Sequence, residues 1–174
     1  MNSILKNKAQ SFGPIAGPDA TRLVLGTIPG KQSLEKGQYY AHSRNAFWFI
    51  IESLFSSQPI PDYAFRTKLL TRSKIALWDV LKEADRQGSS DSAIVLESIV
   101  VNDFNWFFSK HPYVEHVFFN GKNAEKLFKK HVLPFICLDR QLNFTCLPST
   151  SPANARLTLE EKLSAWMLLT SFSE

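Results

Sequence analysis

Leu23-Val24-Leu25-Gly26-Thr27-Ile28-Pro29-Gly30 is the segment from which the architecture is read. Its apolar run is too short for a helix and enters a glycine- and proline-bounded turn, the pattern of a buried strand ending in a loop. Three more such runs follow, Ile75 to Trp78, Val114 to Phe119 and Phe144 to Leu147. Helical spacing fills the intervals: Phe47, Ile50, Ile51, Leu54 and Phe55, then Ala124, Leu127 and Phe128. A capping box, Thr158 with Glu161 three residues on, opens a last helix whose apolar face is Leu159, Leu163, Trp166 and Met167. Strands alternating with helices predict an α/β fold: three layers, α/β/α, around a central, mainly parallel four-stranded sheet.

Composition sets the outer limits. The 174 residues fit one domain, are 44% hydrophobic and 21% charged, and carry a net charge of +4. A mildly basic balance suits an anionic partner without selecting one. Cys137 and Cys146 are too few for a four-thiolate cluster or an all-cysteine zinc site, and their apolar neighbourhoods predict reduced core thiols. No apolar run reaches the ~18–20 residues that span a bilayer, and Met1 to Gln10 lacks the apolar centre of a signal peptide. The expectation is a soluble, intracellular protein.

The unusual residues gather where the predicted strands end: Gly26 to Gly30, Asp79 with the polar stretch Asp85 to Ser92, Asn120-Gly121-Lys122, and Pro148-Ser149-Thr150-Ser151-Pro152. Open parallel sheets bind ligands at the carboxyl ends of their strands, so these four loops predict one composite site. The first turn lacks the spacings of the two standard nucleotide-phosphate loops. Each piece also has a purely structural reading. Tyr39 and Tyr40 fit a base-stacking platform or ordinary loop packing. His42 suits acid–base work or a hydrogen-bonded structural role. Asn45, just ahead of an amphipathic run, is a good helix N-cap. The Ser149–Ser151 loop can press on phosphates or simply connect a strand to a helix. Lys122, Lys126, Lys129 and Lys130 form either a solvated face or a DNA contact.

Taken together, from about Leu23 to Trp166, these segments resemble the uracil-DNA glycosylase superfamily. Gly26-Thr27-Ile28-Pro29-Gly30 is similar to the first family motif, written Gly-Ile-Asn-Pro-Gly in the mismatch-specific uracil/thymine enzymes. Tyr40-Ala41-His42-Ser43-Arg44-Asn45-Ala46-Phe47-Trp48 resembles their Phe-Ala-His-Pro-x-Asn-x-Phe-Trp stretch. Phe119-Asn120-Gly121-Lys122 resembles a segment of the thymine-excising members, and Pro148-Ser149-Thr150-Ser151 the serine-proline loop that pinches the DNA backbone. Ile28 stands where mismatch-specific enzymes carry the asparagine that positions water. The hypoxanthine-DNA (deoxyinosine) glycosylase branch resembles this chain further through Gly-x-x-Pro-Gly, Gln-Tyr-Tyr-Ala and Arg-Asn-x-Phe-Trp. In that branch the resemblance implies that the polar role passes to the asparagine here numbered Asn45.

The resemblance implies one glycosylase-like domain over residues 1–174, with Asn45 as catalytic candidate. It implies base contacts from the backbone of Thr27 and Ile28 and from Tyr40, His42 and Asn120, and DNA contacts from Gly30, Ser33, Lys122, Ser149, Thr150 and Ser151. It implies no metal and no cofactor, DNA bearing a deaminated or mismatched base as partner, a monomer, and a place in the cytoplasm or on the nucleoid. Excision would break an N-glycosidic bond through a sugar with oxocarbenium character, which asks the protein to expose the base, orient water and stabilise the leaving group. Two other readings stay open: a degenerate relative that binds damaged DNA without cutting, and a small α/β hydrolase or nucleotide-metabolism enzyme.

Overall fold

A computed structural model describes residues 8–172. The strands are β1 (Lys8–Gln10), β2 (Arg22–Gly26), β3 (Ile75–Asp79), β4 (Leu81–Asp85), β5 (Val100–Val101), β6 (His116–Asn120) and β7 (Asn143–Leu147). The α-helices are α1 (Lys31–Lys36), α2 (Phe47–Phe55), α3 (Tyr63–Arg72), α4 (Phe104–Lys110), α5 (Lys122–His131) and α6 (Leu159–Trp166). The main sheet is parallel, in the order β3-β2-β6-β7, and contains all four expected strands. Val114 is buried but belongs to a turn, its N–H donating to the His111 carbonyl, so the third expected strand starts at His116 instead.

Every residue of β2 and β3 is buried, as in parallel strands covered on both faces. Helix α3 packs on β3, α5 on β6 and β7, and α2 against α3 and α6. Phe47, Ile50 and Ile51 turn the buried stripe of α2 inward, and Ala124, Leu127 and Phe128 do so for α5. Phe118, Phe119, Phe128 and Trp166 are among the large side chains removed from solvent in this core.

Three features depart from the sequence reading. Strands β1, β4 and β5 form a second, antiparallel sheet, β1-β4-β5, which extends β3 beyond Val80. Its central strand, Leu-Lys-Glu-Ala-Asp, buries only Leu81 and Ala84 and so carries no apolar run to read. The capping box of α6 forms as expected, but the helix buries Lys162 and Trp166 while Leu159 and Met167 stay exposed. Of the expected face Leu163 and Trp166 pack on the core, and the buried Lys162 amine reaches the Ser151 carbonyl at 3.4 Å. Both cysteines are free, but Cys137 is exposed and Cys146 only half-buried, because Cys137 falls in the loop after α5 rather than in the sheet. Among the described residues no helix is long and apolar enough to cross a membrane.

Register brings the functional loops to one edge. Gly26 pairs with Asp79, Leu25 with Phe119, and Asn120 with Leu147, so the four parallel strands end together.

Candidate active site

The loop after β2 is pinned through its carbonyl groups. Gly26 O accepts from Val80 N–H at 2.9 Å and Thr27 O from Leu81 N–H at 3.0 Å. The buried Arg86 guanidinium donates Nη2 to Pro29 O, Nε to Gly88 O and lies 3.9 Å from Asp91 through Nη1. Ile28 is 7% exposed and packs in the core cluster, so position 28 offers a ligand its backbone rather than a side chain. Gly26 has a steric reason to be glycine. A Cβ there would sit 2.6 Å from Asp79 Oδ1 and 2.8 Å from the Tyr40 hydroxyl, closer than real Cβ contacts come.

Tyr40 adopts φ +53°, unusual for a side chain with a Cβ, and its ring stacks on Phe47 with centroids 4.1 Å apart. Trp48 and Trp166 meet Phe47 edge-on, so the aromatic platform is held from behind. The Tyr40 hydroxyl is buried without a hydrogen bond, although Asn120 lies near it. Burial, with the nearby Asp79 carboxyl adding to it, pushes the phenol's pKa far up and keeps it neutral.

The segment that follows is a compact turn. His42 Nδ1 accepts from Arg44 N–H at 3.1 Å, and Asn45 Oδ1 accepts from Phe47 N–H at 3.0 Å at the start of α2. The capping geometry expected of Asn45 is therefore present, one residue before the formal cap, Ala46. Tyr40, His42 and Asn45 nonetheless share a cavity of about 370 Å³, closed by Trp48, Glu52 and Arg66. That volume falls within the range of small-ligand sites. Thr27, Ile28 and Asn120 do not line this cavity. They connect to it through Tyr40, whose hydroxyl reaches the Gly26–Asp79 corner.

The loop after β7 is locked to the loop after β6. Asn120 Nδ2 donates to Thr150 Oγ1 and Thr150 N–H donates to Asn120 Oδ1, both at 2.8 Å. Thr150 is fully buried, and its carbonyl accepts from Ala46 N–H at 3.0 Å. Gly121, at φ +97°, leaves room for Ser149, whose Cβ would lie 2.9 Å from an added methyl. Ser149 Oγ accepts from Ser151 N–H and Ser151 Oγ from Ala153 N–H, each at 3.2 Å, while Trp166 Nε1 anchors Pro148 O at 2.9 Å. Ser149 and Ser151 remain half-exposed.

The other expected DNA contacts divide. Gly30 caps the short α1 and is half-buried, and Lys122 is exposed as the first residue of α5. Ser33 is buried, and its Oγ accepts from Ala41 N–H at 3.2 Å, which supports the Tyr40–Ala41 turn from inside. Lys129 pairs with Glu125 at 2.7 Å.

Sequence reasoning placed Asp79 at a strand end and gave it no role. It is 3% exposed, its Oδ2 accepts from Ser11 Oγ at 3.0 Å, and its pKa is raised to about 7. Burial is the main cause and Asp91 adds to it, while the Ser11 hydrogen bond and Arg86 oppose it. The available signal was a lone carboxylate closing the otherwise apolar Ile75 to Trp78 run.

Residues 14–170 match the model of the uracil DNA glycosylase superfamily. The chain belongs to the uracil DNA glycosylase superfamily. It is 35% identical over 161 residues to a hypoxanthine DNA glycosylase of Methanosarcina barkeri, covering 91% of this chain and 96% of that one. It is 32% identical over 161 residues to a hypoxanthine DNA glycosylase of Methanosarcina acetivorans, covering 90% and 94%. The fold is similar to a solution NMR structure of a candidate uracil DNA glycosylase from Methanosarcina acetivorans, with TM-score 0.71, 28% identity, and 94% and 99% of the two chains covered.

Within this superfamily fold, the four strand-end loops form one continuous structure. The loop after β2 is held by Arg86, the Tyr40 turn by Ser33, and the loop after β7 by Asn120 and Trp166. Such mutual bracing keeps polar groups oriented before a ligand arrives.

Proposed function

We propose that this chain is a monofunctional DNA glycosylase that flips a deaminated base, hypoxanthine foremost and uracil as a further candidate, and hydrolyses its N-glycosidic bond. The observation that carries the reading is the convergence of Tyr40, His42 and Asn45 on one cavity, in a chain whose relatives are named hypoxanthine DNA glycosylases. Tyr40 is the stacking platform, backed by Phe47. Asn45 orients the attacking water or holds the base. Its Oδ1 accepts from Phe47 N–H, so the Nδ2 donor is the group proposed to act in the cavity that Asn45 lines. His42 adds a second polar group. Backbone N–H groups of Thr27 and Ile28 serve the base edge from a loop whose carbonyls are tied elsewhere. Ser149 and Ser151 hold phosphates in register, with Gly30 and Lys122 flanking, while Thr150, Asn120 and Ser33 brace these loops from within.

Flipping costs a few kcal/mol, least for a mismatched base, so lesions are favoured before any base contact is made. The substrate is DNA with a deaminated or mismatched base, the acting species a monomer, and the site of action wherever the cell keeps its DNA.

A second reading follows from Asn45 itself. An asparagine whose oxygen caps α2 fits a relative that binds damaged DNA without excision. Oligonucleotides carrying a single deoxyinosine or deoxyuridine separate the two. The glycosylase reading expects base release leaving abasic, unbroken strands. Uracil release alone would move the chain to another branch, and binding without release would establish the second reading.

A further inference from the structure

The mechanism above leaves one buried titratable group unused. Asp79 closes β3 beside Gly26 at the end of β2, with Oδ2 held by Ser11. Among the described residues no hydrogen bond reaches Oδ1, which faces the space over Gly26. The Tyr40 hydroxyl enters the same space and is also unpartnered. Buried polar atoms are nearly always paired, so the orphaned Tyr40 hydroxyl beside the Asp79 Oδ1 oxygen, both within 2.8 Å of where a Cβ on residue 26 would stand, marks a place where a polar edge is expected to dock. Tyr40 links this corner to the cavity that it lines with His42 and Asn45, so a base stacked on its ring would turn an edge towards Asp79.

We propose that Asp79 is a specificity-determining residue: its Oδ1 accepts the N1–H of a flipped keto-purine and repels adenine, whose N1 presents only a lone pair. The proposal rests on the glycosylase reading above and deepens it. The keto form of hypoxanthine pairs an O6 acceptor with an N1–H donor, and a carboxylate is acceptor-only. Adenine would set a lone pair against that carboxylate inside a buried site. Buried polar mismatches of this kind give large discrimination, because neither group has water to turn to.

The carboxyl must be ionised to act this way, and its environment holds it near the point of titration. Burial and Asp91 raise its pKa to about 7, against Ser11 and Arg86. Tyr39, Tyr40 and Tyr63 also sense its charge, and burial keeps all three phenols neutral at working pH. Protonated, Asp79 would donate to adenine N1 and lose its selectivity. Inosine excision and the preference for inosine should therefore both rise as pH increases through about 7.

The test compares full-length wild type with Asp79→Asn in single-turnover excision from oligonucleotides bearing deoxyinosine, 1-methyldeoxyinosine or deoxyadenosine, from pH 5.5 to 8.5. Asparagine keeps the size and can still accept from Ser11, but its amide rotates to suit either base edge. The proposal expects wild type to favour deoxyinosine over 1-methyldeoxyinosine, which lacks the N1 proton, with a rising limb through about pH 7. Asp79→Asn should flatten that limb and lower selectivity for deoxyinosine over deoxyadenosine at least tenfold. A folded Asp79→Asn variant with the wild-type limb and wild-type selectivity overturns the proposal and leaves the glycosylase reading standing. If the variant does not fold, wild type decides: no limb and no penalty for N1 methylation overturn it equally. Absence of hypoxanthine release by wild type removes the reading beneath it.

Discussion

Asn120 and Thr150 hold each other by two hydrogen bonds of 2.8 Å, side-chain amide to hydroxyl and backbone N–H to amide oxygen. The pair joins the end of β6 to the loop after β7, and through Thr150 O it also meets the backbone of Ala46 beside Asn45. Two loops that contribute different parts of the site are thus set by one amide. Thr150→Val keeps the shape, removes the hydroxyl and leaves Asn120 Nδ2 short of a partner. The expected loss is ~1–3 kcal/mol of stability, the cost of an unsatisfied buried group. Asn120→Ala should cost a similar amount, and the double variant less than the sum, with coupling of ~0.5–3 kcal/mol. Denaturant titration of the four proteins measures it; strictly additive losses would mean the two residues do not act as a unit.

Tyr40 is expected to work through its ring. Tyr40→Ala removes a stacking face worth ~1–3 kcal/mol per base, roughly 5–150-fold in rate or binding. Tyr40→Phe keeps that face and deletes a buried hydroxyl that makes no hydrogen bond, so activity should stay near wild type and the thermal midpoint should hold or rise. A large rate loss with Phe would give the hydroxyl a direct contact to the base, in the corner it shares with Asp79.

The main sheet was legible because β2, β3 and most of β6 are buried and read as apolar runs, Ile75 to Trp78 being the plainest, with the half-buried β7 a weaker case. The second sheet was not, because Leu81 to Asp85 is a half-exposed strand with three charges and no apolar run. At the site, the loops were found from residue type alone, but their inward and outward sides were not. Ser33, Ser149, Thr150 and Ser151 are all small hydroxyls at loop positions, yet Ser33 and Thr150 are buried and bonded to the backbone or to Asn120. Only the fold separates a hydroxyl that braces a loop from one that can meet phosphate. Asp79 was given no role for the converse reason: what sets it apart is its surroundings, to which Ser11 and Tyr40 come from distant parts of the sequence and Arg86 and Asp91 from the segment that follows it.

Asn45 must be tested with its cap role in view, since Oδ1 does accept from Phe47 N–H. Loss of a cap costs ~0.5–2 kcal/mol and leaves chemistry largely intact. Asn45→Asp retains an oxygen for that N–H and replaces Nδ2 with a second, charged acceptor. We expect Asn45→Ala to lower both the thermal midpoint and the single-turnover rate, and Asn45→Asp to restore the midpoint while the rate stays orders of magnitude down. An Asn45→Ala protein that excises at near wild-type rate once folded would return the residue to a structural role, with His42 next in the same cavity.

The buried Asp79 carboxyl also makes a prediction that needs no substrate. Its pKa is raised from 3.8 to about 7 in the folded chain, chiefly by burial. Between those values the unfolded chain has released this proton and the folded chain still holds it, so stability falls as pH rises through the window. At about 1.4 kcal/mol per decade of displaced affinity, the full cost is on the order of a few kcal/mol, and it is complete above about pH 7. Asp79→Asn removes the titration and keeps an oxygen for Ser11. The variant should therefore match wild type only below about pH 4, become progressively more stable than wild type as pH rises through the window, and reach the full difference above about pH 7. His111 and His116, whose pKa values burial lowers, titrate in both proteins and cancel from the difference. Urea midpoints of both proteins between pH 4.5 and 8 measure that difference directly. A difference that does not change with pH would show that the carboxyl is ionised at ordinary cost, and the structural basis for its place in the site would be lost. A widening difference together with lost inosine selectivity is what a residue kept for recognition at the expense of stability should show.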